Sequence, residues 1–212
     1  MHKRWLAAFA VSVTLAAPLQ AEPVVVAALG DSLTQGYGLP QGDGLVPQLQ
    51  AWLDAQGVET RLINAGVSGD TTAGGLARID WTLTPDVQAL IVGLGGNDFL
   101  RGIDPALTRS NLDAILDRAE ARGLPVLLIG LHSAGNYGPE YKAAFDAIFP
   151  DLAAAHGALL YPDFFEALTS DDGPGIDPEL MQADGIHPNA KGVALVVQSL
   201  GPKVLELIDR VE

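Results

Sequence analysis

The sequence alternates between short apolar runs and longer amphipathic segments, and this alternation restricts the fold more than any other feature. The runs are rich in Val, Ile and Leu, which is typical of strands buried on both faces. They lie at residues 24–29, 60–64, 87–94, 126–131 and 158–161. Helical spacing of apolar residues occurs at 45–55, 72–83, 108–122, 141–156 and from Pro188 toward residue 210. Strands separated by helices predict right-handed βαβ crossovers, and therefore an α/β fold: a three-layer α/β/α sandwich with a central parallel sheet of about five strands.

Three breaks in this pattern carry predictions of their own. Pro150 predicts a kink or break in the helix over 141–156, and Gly201-Pro202 predicts an interruption of the last helix. Residues 169–186 are rich in Asp, Gly and Pro, which predicts a long surface loop. The remainder shows no repeat and no linker, so residues 22–212 are predicted to form a single domain.

The first 21 residues have the pattern of a secretory signal peptide. Basic residues at positions 3 and 4 precede an apolar stretch over 6–17, and the small residue Ala21 ends a cleavage-like sequence. The alternative is an uncleaved membrane anchor, but the stretch is short for a bilayer and Pro18 closes it. We therefore predict cleavage near Ala21 and a periplasmic or secreted protein without a stable membrane anchor.

Composition removes several classes of function. The formal net charge is −14, which argues against nucleic acid and anionic membrane surfaces as partners. The chain has no cysteine, which excludes disulfides, thiolate catalysis and zinc–cysteine sites. The exported protein must therefore be held together by its core, and we expect a monomer.

Ser32 is the candidate nucleophile, because it follows the first apolar run at a Gly-Asp-Ser corner. In open α/β sheets, ligands bind at the carboxyl ends of strands, where this serine is expected. A serine hydroxyl is a weak nucleophile and needs an adjacent base. The alternative role for Ser32 is that of a helix N-cap or turn residue.

His187 is the candidate base and Asp184 the residue that orients it. A carboxylate three residues before a histidine can accept from Nδ1–H, which leaves Nε2 free to take the serine proton. His132 follows the fourth run and is a competitor at the same sheet edge, whereas His156 lies at the end of a helix, where a cation complements the helix dipole. The Asp184–His187 pair could also serve as a cap where the last helix begins.

Three groups could stabilise an oxyanion: the backbone N–H of Ser32, the backbone N–H of Gly69 and the side-chain amide of Asn97. Ordinary turn chemistry is the alternative for Gly69 and Asn97. Two glycine-rich segments resemble nucleotide sites only superficially. The one at residues 93–98 lacks the third glycine of a dinucleotide loop, and the one at 30–38 lacks the Gly-Lys-Ser/Thr of a phosphate loop.

Taken together, these motifs resemble the SGNH, or GDSL, hydrolase family, and most closely its bacterial periplasmic branch of thioesterases, lysophospholipases and arylesterases. The matching blocks are GDSLT at 30–34, GVSGDT at 66–71, GGND at 95–98 and DGIHPN at 184–189. The resemblance implies a flavodoxin-like fold and no metal or other cofactor. It also implies Ser32, Gly69, Asn97 and His187 as the four catalytic residues, with Asp184 as the third triad member.

The resemblance implies a serine hydrolase that cleaves short- to medium-chain acyl or aryl esters, with thioesters and lysophospholipids as further candidate substrates. Phe99 stands where this branch commonly has a glycine, which leaves the acyl length open. The alternatives are a carbohydrate O-deacetylase of the same family, a non-catalytic periplasmic binding protein and a phosphatase-like or nucleotide-binding domain. The low aromatic content, 6%, disfavours a sugar platform.

Overall fold

The computed structural model describes residues 22–169 and 175–211. Within them the strands are β1 (Val24–Gly30), β2 (Thr60–Gly66), β3 (Ala89–Gly93), β4 (Val126–Ile129) and β5 (Leu159–Tyr161). The α-helices are α1 (Ser32–Gln35), α2 (Leu45–Ala55), α3 (Thr72–Thr82), α4 (Gly96–Leu100), α5 (Pro105–Glu120), α6 (Pro139–Asp146), α7 (Ile148–His156) and α8 (Ala190–Ile208). The predicted segment 1–21 lies outside the described residues.

The five strands form one parallel sheet in the order β2-β1-β3-β4-β5. β1 lies inside the sheet, and Val26, Ala27 and Leu29 have no exposed surface. This burial explains why the first run lacks polar residues, since both faces of a parallel sheet are covered by helices. The strand order is that of flavodoxin-like folds, so the predicted α/β/α sandwich is confirmed.

Helices cover both faces of the sheet. α2 and α8 pack on each other over one face, whereas α3, α5 and α7 form the layer over the other. The inward side of α5 shows why such helices are stable. Leu112, Ile115 and Leu116 are almost completely buried, and each buried side chain of this size contributes about 1.5–3 kcal/mol relative to an exposed one.

The predicted break in the helix over 141–156 is present, but not at Pro150. The chain forms α6 and α7, which meet at Ala147. Pro150 lies in the first turn of α7, where a backbone N–H would have no partner within the helix. The proline therefore stabilises the start of a helix.

The predicted interruption near Gly201-Pro202 was wrong, as was the placement of Pro188 at the start of the last helix. α8 is continuous, with Pro202 inside it, and Asn189 caps it by accepting from the N–H groups of Lys191 and Gly192. Gly201 serves close packing: a Cβ there would lie 2.7 Å from the Trp52 ring of α2. Tertiary packing thus outweighs the loss of one helical hydrogen bond at the proline.

The loop predicted over 169–186 falls partly on residues 170–174, which lie outside the described part of the chain. Its described part contains a 3₁₀ turn, Pro178–Leu180, and isolated bridges join Thr169 to Ile176 and Met181 to Pro188. Within residues 22–169 and 175–211, no helix has both the length and the apolar character that crossing a bilayer requires.

The topology itself indicates where a ligand can bind. The chain runs outward from β1 to β2 and then crosses back to β3 on the other side of β1. At such a switch point, the connections after neighbouring strands diverge and leave a crevice at the carboxyl ends. Ser32 and Asn97 both lie just beyond these ends, after β1 and β3 respectively.

Candidate active site

Ser32 is the first residue of the four-residue helix α1, directly beyond β1. Asp31, and not Ser32, caps this helix by accepting from the N–H of Leu33 at 3.0 Å. The Ser32 hydroxyl is therefore free of the capping role that sequence alone left open. Glycine at the end of β1 makes the turn possible, since a Cβ at Gly30 would lie 2.0 Å from Oγ1 of Thr34.

Ser32, His187 and Asp184 form one hydrogen-bonded chain. Nε2 of His187 lies 2.8 Å from Oγ of Ser32, and Nδ1 of His187 lies 2.6 Å from Oδ2 of Asp184. The carboxylate accepts from Nδ1–H, so the tautomer that leaves Nε2 as an acceptor is favoured. The geometry is that of a base holding a serine hydroxyl, oriented by a third group.

The loop holds Asp184 in the ionised form that this arrangement needs. The side-chain hydrogen bond from His187, followed by the backbone N–H groups of His187 and Ile186, lowers the pKa of Asp184 to about 2. Both backbone groups donate to Oδ1, at 3.0 and 2.9 Å, while Oδ2 faces the imidazole. Asp184 therefore remains a carboxylate at neutral pH.

Gly69 and Asn97 line the same cavity as Ser32. Gly69 has a φ of +84°, a conformation that side chains rarely adopt. Its carbonyl accepts from the Arg101 guanidinium at 2.7 Å, which ties the Gly69 turn to the end of α4. Asn97, in the first turn of α4, faces the cavity from the β3 side. The structure thus brings all five predicted residues to one crevice.

Asp31 contacts Asn97 directly, a role that the motif analysis did not assign. Nδ2 of Asn97 donates to Oδ2 of Asp31 at 3.1 Å, and Asp31 is only 2% exposed. Burial raises the pKa of Asp31 to about 6, although bonds from Leu33 and Asn97 and the charge of His187 oppose this shift. A carboxylate only accepts, so it holds the nitrogen end of the Asn97 amide toward itself.

The cavity that contains these groups has a volume of about 560 Å³. Polar groups occupy one part of its surface, and the remainder is apolar. The apolar lining includes Leu33, Phe99, Leu100, Leu131, Ala134, Phe145, Phe165, Ile176 and Ile186. A few convergent polar groups in a mainly apolar cleft are typical of a small-molecule site.

The other two described histidines do not contact Ser32. His132 lines the cavity, but its Nδ1 lies 3.3 Å from Asp163, and the side chain is half exposed. His156 ends α7 and pairs with Asp113 and Glu120. It lines a second cavity, of about 540 Å³, in which the described lining residues include no serine or threonine. The candidate nucleophile and its candidate base, Ser32 and His187, therefore occur together in the first cavity.

Sequence reasoning missed two contributions to this site. Asp31 belongs to the motif that drew attention to Ser32, but nothing in the motif indicates that its carboxylate meets Asn97, 66 positions away. Gln182 connects the loop of His187 to the turn after α1, again through a tertiary contact without a local pattern. An alignment of homologues could reveal such pairs as positions that vary together.

Known proteins resemble this chain over most of its length. Residues 28–195 match the GDSL-like Lipase/Acylhydrolase family. Esterase TesA of Pseudomonas aeruginosa is 38% identical over 190 residues, covering 89% of this chain and 92% of that protein. Thioesterase 1/protease 1/lysophospholipase L1 of Escherichia coli K12 is 35% identical over 85% of this chain and 83% of its own.

A solved structure of an esterase is also similar to this chain. AlinE4, described as an SGNH-hydrolase family esterase, is 43% identical and superposes with a TM-score of 0.73. The match covers 88% of this chain and 97% of AlinE4.

Proposed function

This chain belongs to the GDSL-like lipase/acylhydrolase family and is a carboxylic-ester hydrolase, and we propose that it acts through an acyl-enzyme intermediate on Ser32. One observation carries the proposal. His187 lies within hydrogen-bond distance of both Ser32 Oγ and Asp184, at the surface of a cavity large enough for a small ester.

In the first half of the proposed reaction, Ser32 Oγ attacks the acyl carbonyl carbon while Nε2 of His187 takes the hydroxyl proton. The carbonyl oxygen becomes an oxyanion, which accepts from the N–H groups of Ser32 and Gly69 and from Nδ2 of Asn97. Asp184 balances the charge of the imidazolium. The intermediate collapses when His187 returns the proton to the leaving alcohol, and the acyl group stays on Ser32.

In the second half, water replaces the alcohol. His187 removes a proton from the water as it attacks the acyl carbon, and the same three donors stabilise the new oxyanion. Collapse breaks the bond to Oγ, and the proton from His187 restores the serine hydroxyl. The carboxylic acid then leaves, so the cycle consumes one water and needs no other reactant.

The substrates that we propose are short- to medium-chain acyl esters or aryl esters. The apolar surface next to Asn97, formed by Phe99, Leu131 and Phe145, supports this class because it can cover a hydrocarbon chain or a ring. Thioesters remain candidates, since the same attack on the acyl carbon releases a thiol. We also propose that the protein acts outside the cytoplasm, after cleavage near Ala21.

Labelling with an alkyl phosphonate ester that carries a leaving group tests the intermediate. Phosphorus takes the place of the acyl carbon, so attack by Ser32 expels the leaving group and leaves a stable phosphonyl serine. We expect one adduct per chain, located by peptide mapping on the peptide that contains Ser32, and parallel loss of p-nitrophenyl ester hydrolysis. An active protein that is not labelled, or that is labelled elsewhere, would overturn the proposal.

Replacing Phe99 by alanine should shift the preference toward longer acyl chains. The Phe99 ring is half-buried and meets Tyr137 and Phe145 at centroid distances of 5.9 and 5.8 Å, which closes this part of the cavity. Room for about two more methylene groups, at about 0.8 kcal/mol each, corresponds to roughly a tenfold gain in kcat/KM for a longer ester relative to butyrate.

A chain-length series of p-nitrophenyl esters measures this shift. Phe165→Ala is the matched control, since Phe165 also lines the cavity, but its ring packs against Phe164 and not against Phe99. The acyl-chain length that the Phe165→Ala variant hydrolyses best should be the same as in the wild type. The same optimum in Phe99→Ala as in the wild type would show that Phe99 does not limit the acyl site.

A further inference from the structure

The Asp184–His187 loop depends on few contacts for its position relative to Ser32. Residues 183–186 are exposed, and the loop belongs to a different part of the chain from α1. Within residues 22–169 and 175–211, two side-chain hydrogen bonds join residues 32–38 to residues 181–189. One is the Ser32–His187 bond, which must break and re-form as the proton moves. The other is made by Gln182.

Gln182 links the two segments through a single nitrogen atom. Its Nε2 donates to the carbonyl of Tyr37 at 2.9 Å and to the carbonyl of Pro188 at 3.0 Å. An amide nitrogen has two hydrogens, and both are used here. The first acceptor, the Tyr37 carbonyl, belongs to the turn that follows α1. The second, the Pro188 carbonyl, belongs to the residue after His187.

The backbone of Gln182 strengthens the link on the histidine side. Its N–H donates to the carbonyl of His187 at 2.8 Å, and its carbonyl accepts from the N–H of Gly185 at 3.0 Å. On the serine side, the N–H of Tyr37 donates to the carbonyl of Ser32 at 3.1 Å. The path from Ser32 through Tyr37 and Gln182 to His187 thus consists of consecutive hydrogen bonds.

Two neighbours show that this contact is closely fitted. A Cβ on residue 38 would lie 2.2 Å from Oε1 of Gln182, so the amide would have to move, and the φ of +75° at this position favours glycine. The Tyr37 ring packs against the His187 ring, with centroids 4.9 Å apart. The turn after α1 therefore contacts the loop of His187 in two ways: through the hydrogen bond from Gln182 and through the contact between the Tyr37 and His187 rings.

We propose that Gln182 is a positioning residue, which sets the distance and angle between Ser32 Oγ and His187 Nε2; this rests on the proposed function of that pair. Gln182 is not among the residues that line the substrate cavity; it lines a neighbouring cavity of about 440 Å³, so we expect it to act on the reaction indirectly. Its contribution is to hold two loops in register while the bond between their catalytic groups opens and closes. Misplacement of reacting groups by about 1 Å can cost about 10²-fold in rate.

Gln182→Met tests the proposal, since methionine keeps the length of the side chain but donates no hydrogen bond. We expect kcat for p-nitrophenyl butyrate to fall by about 10- to 100-fold, with KM within about twofold. The rate of phosphonate labelling at Ser32 should fall by the same factor as kcat. Gln182→Glu, which places a carboxylate against two carbonyl oxygens, should reduce kcat at least as much.

Gln48→Met is the matched control. Nε2 of Gln48 also donates to two carbonyls, those of Asp43 and Ala190, at 2.8 and 3.1 Å, and it also joins distant segments. Its kcat should remain within twofold of the wild-type value. The downfield NMR signal of His187 Nδ1–H, which reports the bond to Asp184, should persist in Gln182→Met, because that bond lies within the loop.

The possible outcomes separate the two proposals. Unchanged kcat and labelling in Gln182→Met, or equal losses in Gln182→Met and Gln48→Met, would overturn the positioning role alone. Loss of the His187 signal together with the fold would also overturn it, because Gln182 would then be a general structural residue. An active wild-type protein that is not labelled at Ser32 would instead contradict the proposed function itself.

Discussion

Ser32→Ala is expected to lower kcat for p-nitrophenyl butyrate by about 10⁴-fold or more while leaving the fold intact. The substitution removes Oγ, which lies 2.8 Å from His187, and with it the atom that would carry the acyl group. The proposed oxyanion donors remain, so a small residual rate above that of buffer is expected. Steady-state kinetics and a thermal melt on the same preparation measure both consequences.

Ser110→Ala serves as the control, because Ser110 is exposed on α5 and is not among the residues that line the cavity of Ser32. It should hydrolyse the ester at the wild-type rate. If Ser32→Ala retained more than a few per cent of wild-type turnover, another nucleophile or a water-based mechanism would have to carry the reaction. The assignment of Ser32 would then be wrong, although the family would not change.

Asp31→Asn should make the protein more stable and less active at neutral pH. Burial raises the pKa of Asp31 to about 6, so at pH 7 and above the folded protein holds an unfavourable buried charge. Asparagine keeps the size and removes that charge. Its NH₂ group must then face Asn97, whose amide turns to present Oδ1 in place of Nδ2. The proposed oxyanion donor is lost, which typically costs about 10²–10³ in kcat.

The direction of the pH effect follows from proton binding. Between the ordinary aspartate pKa of 3.8 and about 6, Asp31 binds a proton in the folded state and not in the unfolded state. The free energy of unfolding therefore falls as the pH rises through this range, by about 3 kcal/mol in all. This contribution is fully present below about pH 4 and lost above about pH 6.

Urea unfolding of both proteins from pH 4 to pH 8 measures this difference, and kcat at pH 8 measures the other half of the prediction. The variant should be the more stable protein at pH 7, and the gap should close toward pH 4. A gap that is the same at every pH would show that Asp31 carries no buried charge. Wild-type kcat in the variant would show that Asn97 needs no fixed amide orientation.

Local patterns were sufficient for much of the architecture. The apolar runs predicted all five strands, because a strand buried on both faces can have few polar residues. Gly-Asp-Ser after the first run, and Asp184 three positions before His187, placed the candidate groups at one sheet edge, where the structure has them. Their catalytic roles stay a prediction.

The features that sequence did not predict arise from contacts between distant segments. α8 runs through Pro202, and the neighbouring Gly201 packs closely against Trp52, 149 positions earlier; helix propensity takes no account of such a contact. The Asp31–Asn97 bond and the links made by Gln182 are of the same kind. In each case the local sequence around one residue does not indicate its partner, because the two residues meet only when the chain has folded.

The separation of Ser32 and His187 by 155 positions has a consequence for how activity is acquired during folding. β1 pairs with both β2 and β3, so the inner sheet can assemble while the C-terminal part of the chain is still unstructured. His187 lies three positions before α8, which packs on α2, so we expect the histidine to reach the serine only after α8 has docked. In the proposed mechanism, a chain in which residues 184–208 have not yet docked would hold Ser32 without its base, so ester cleavage would report that this part of the chain is in place.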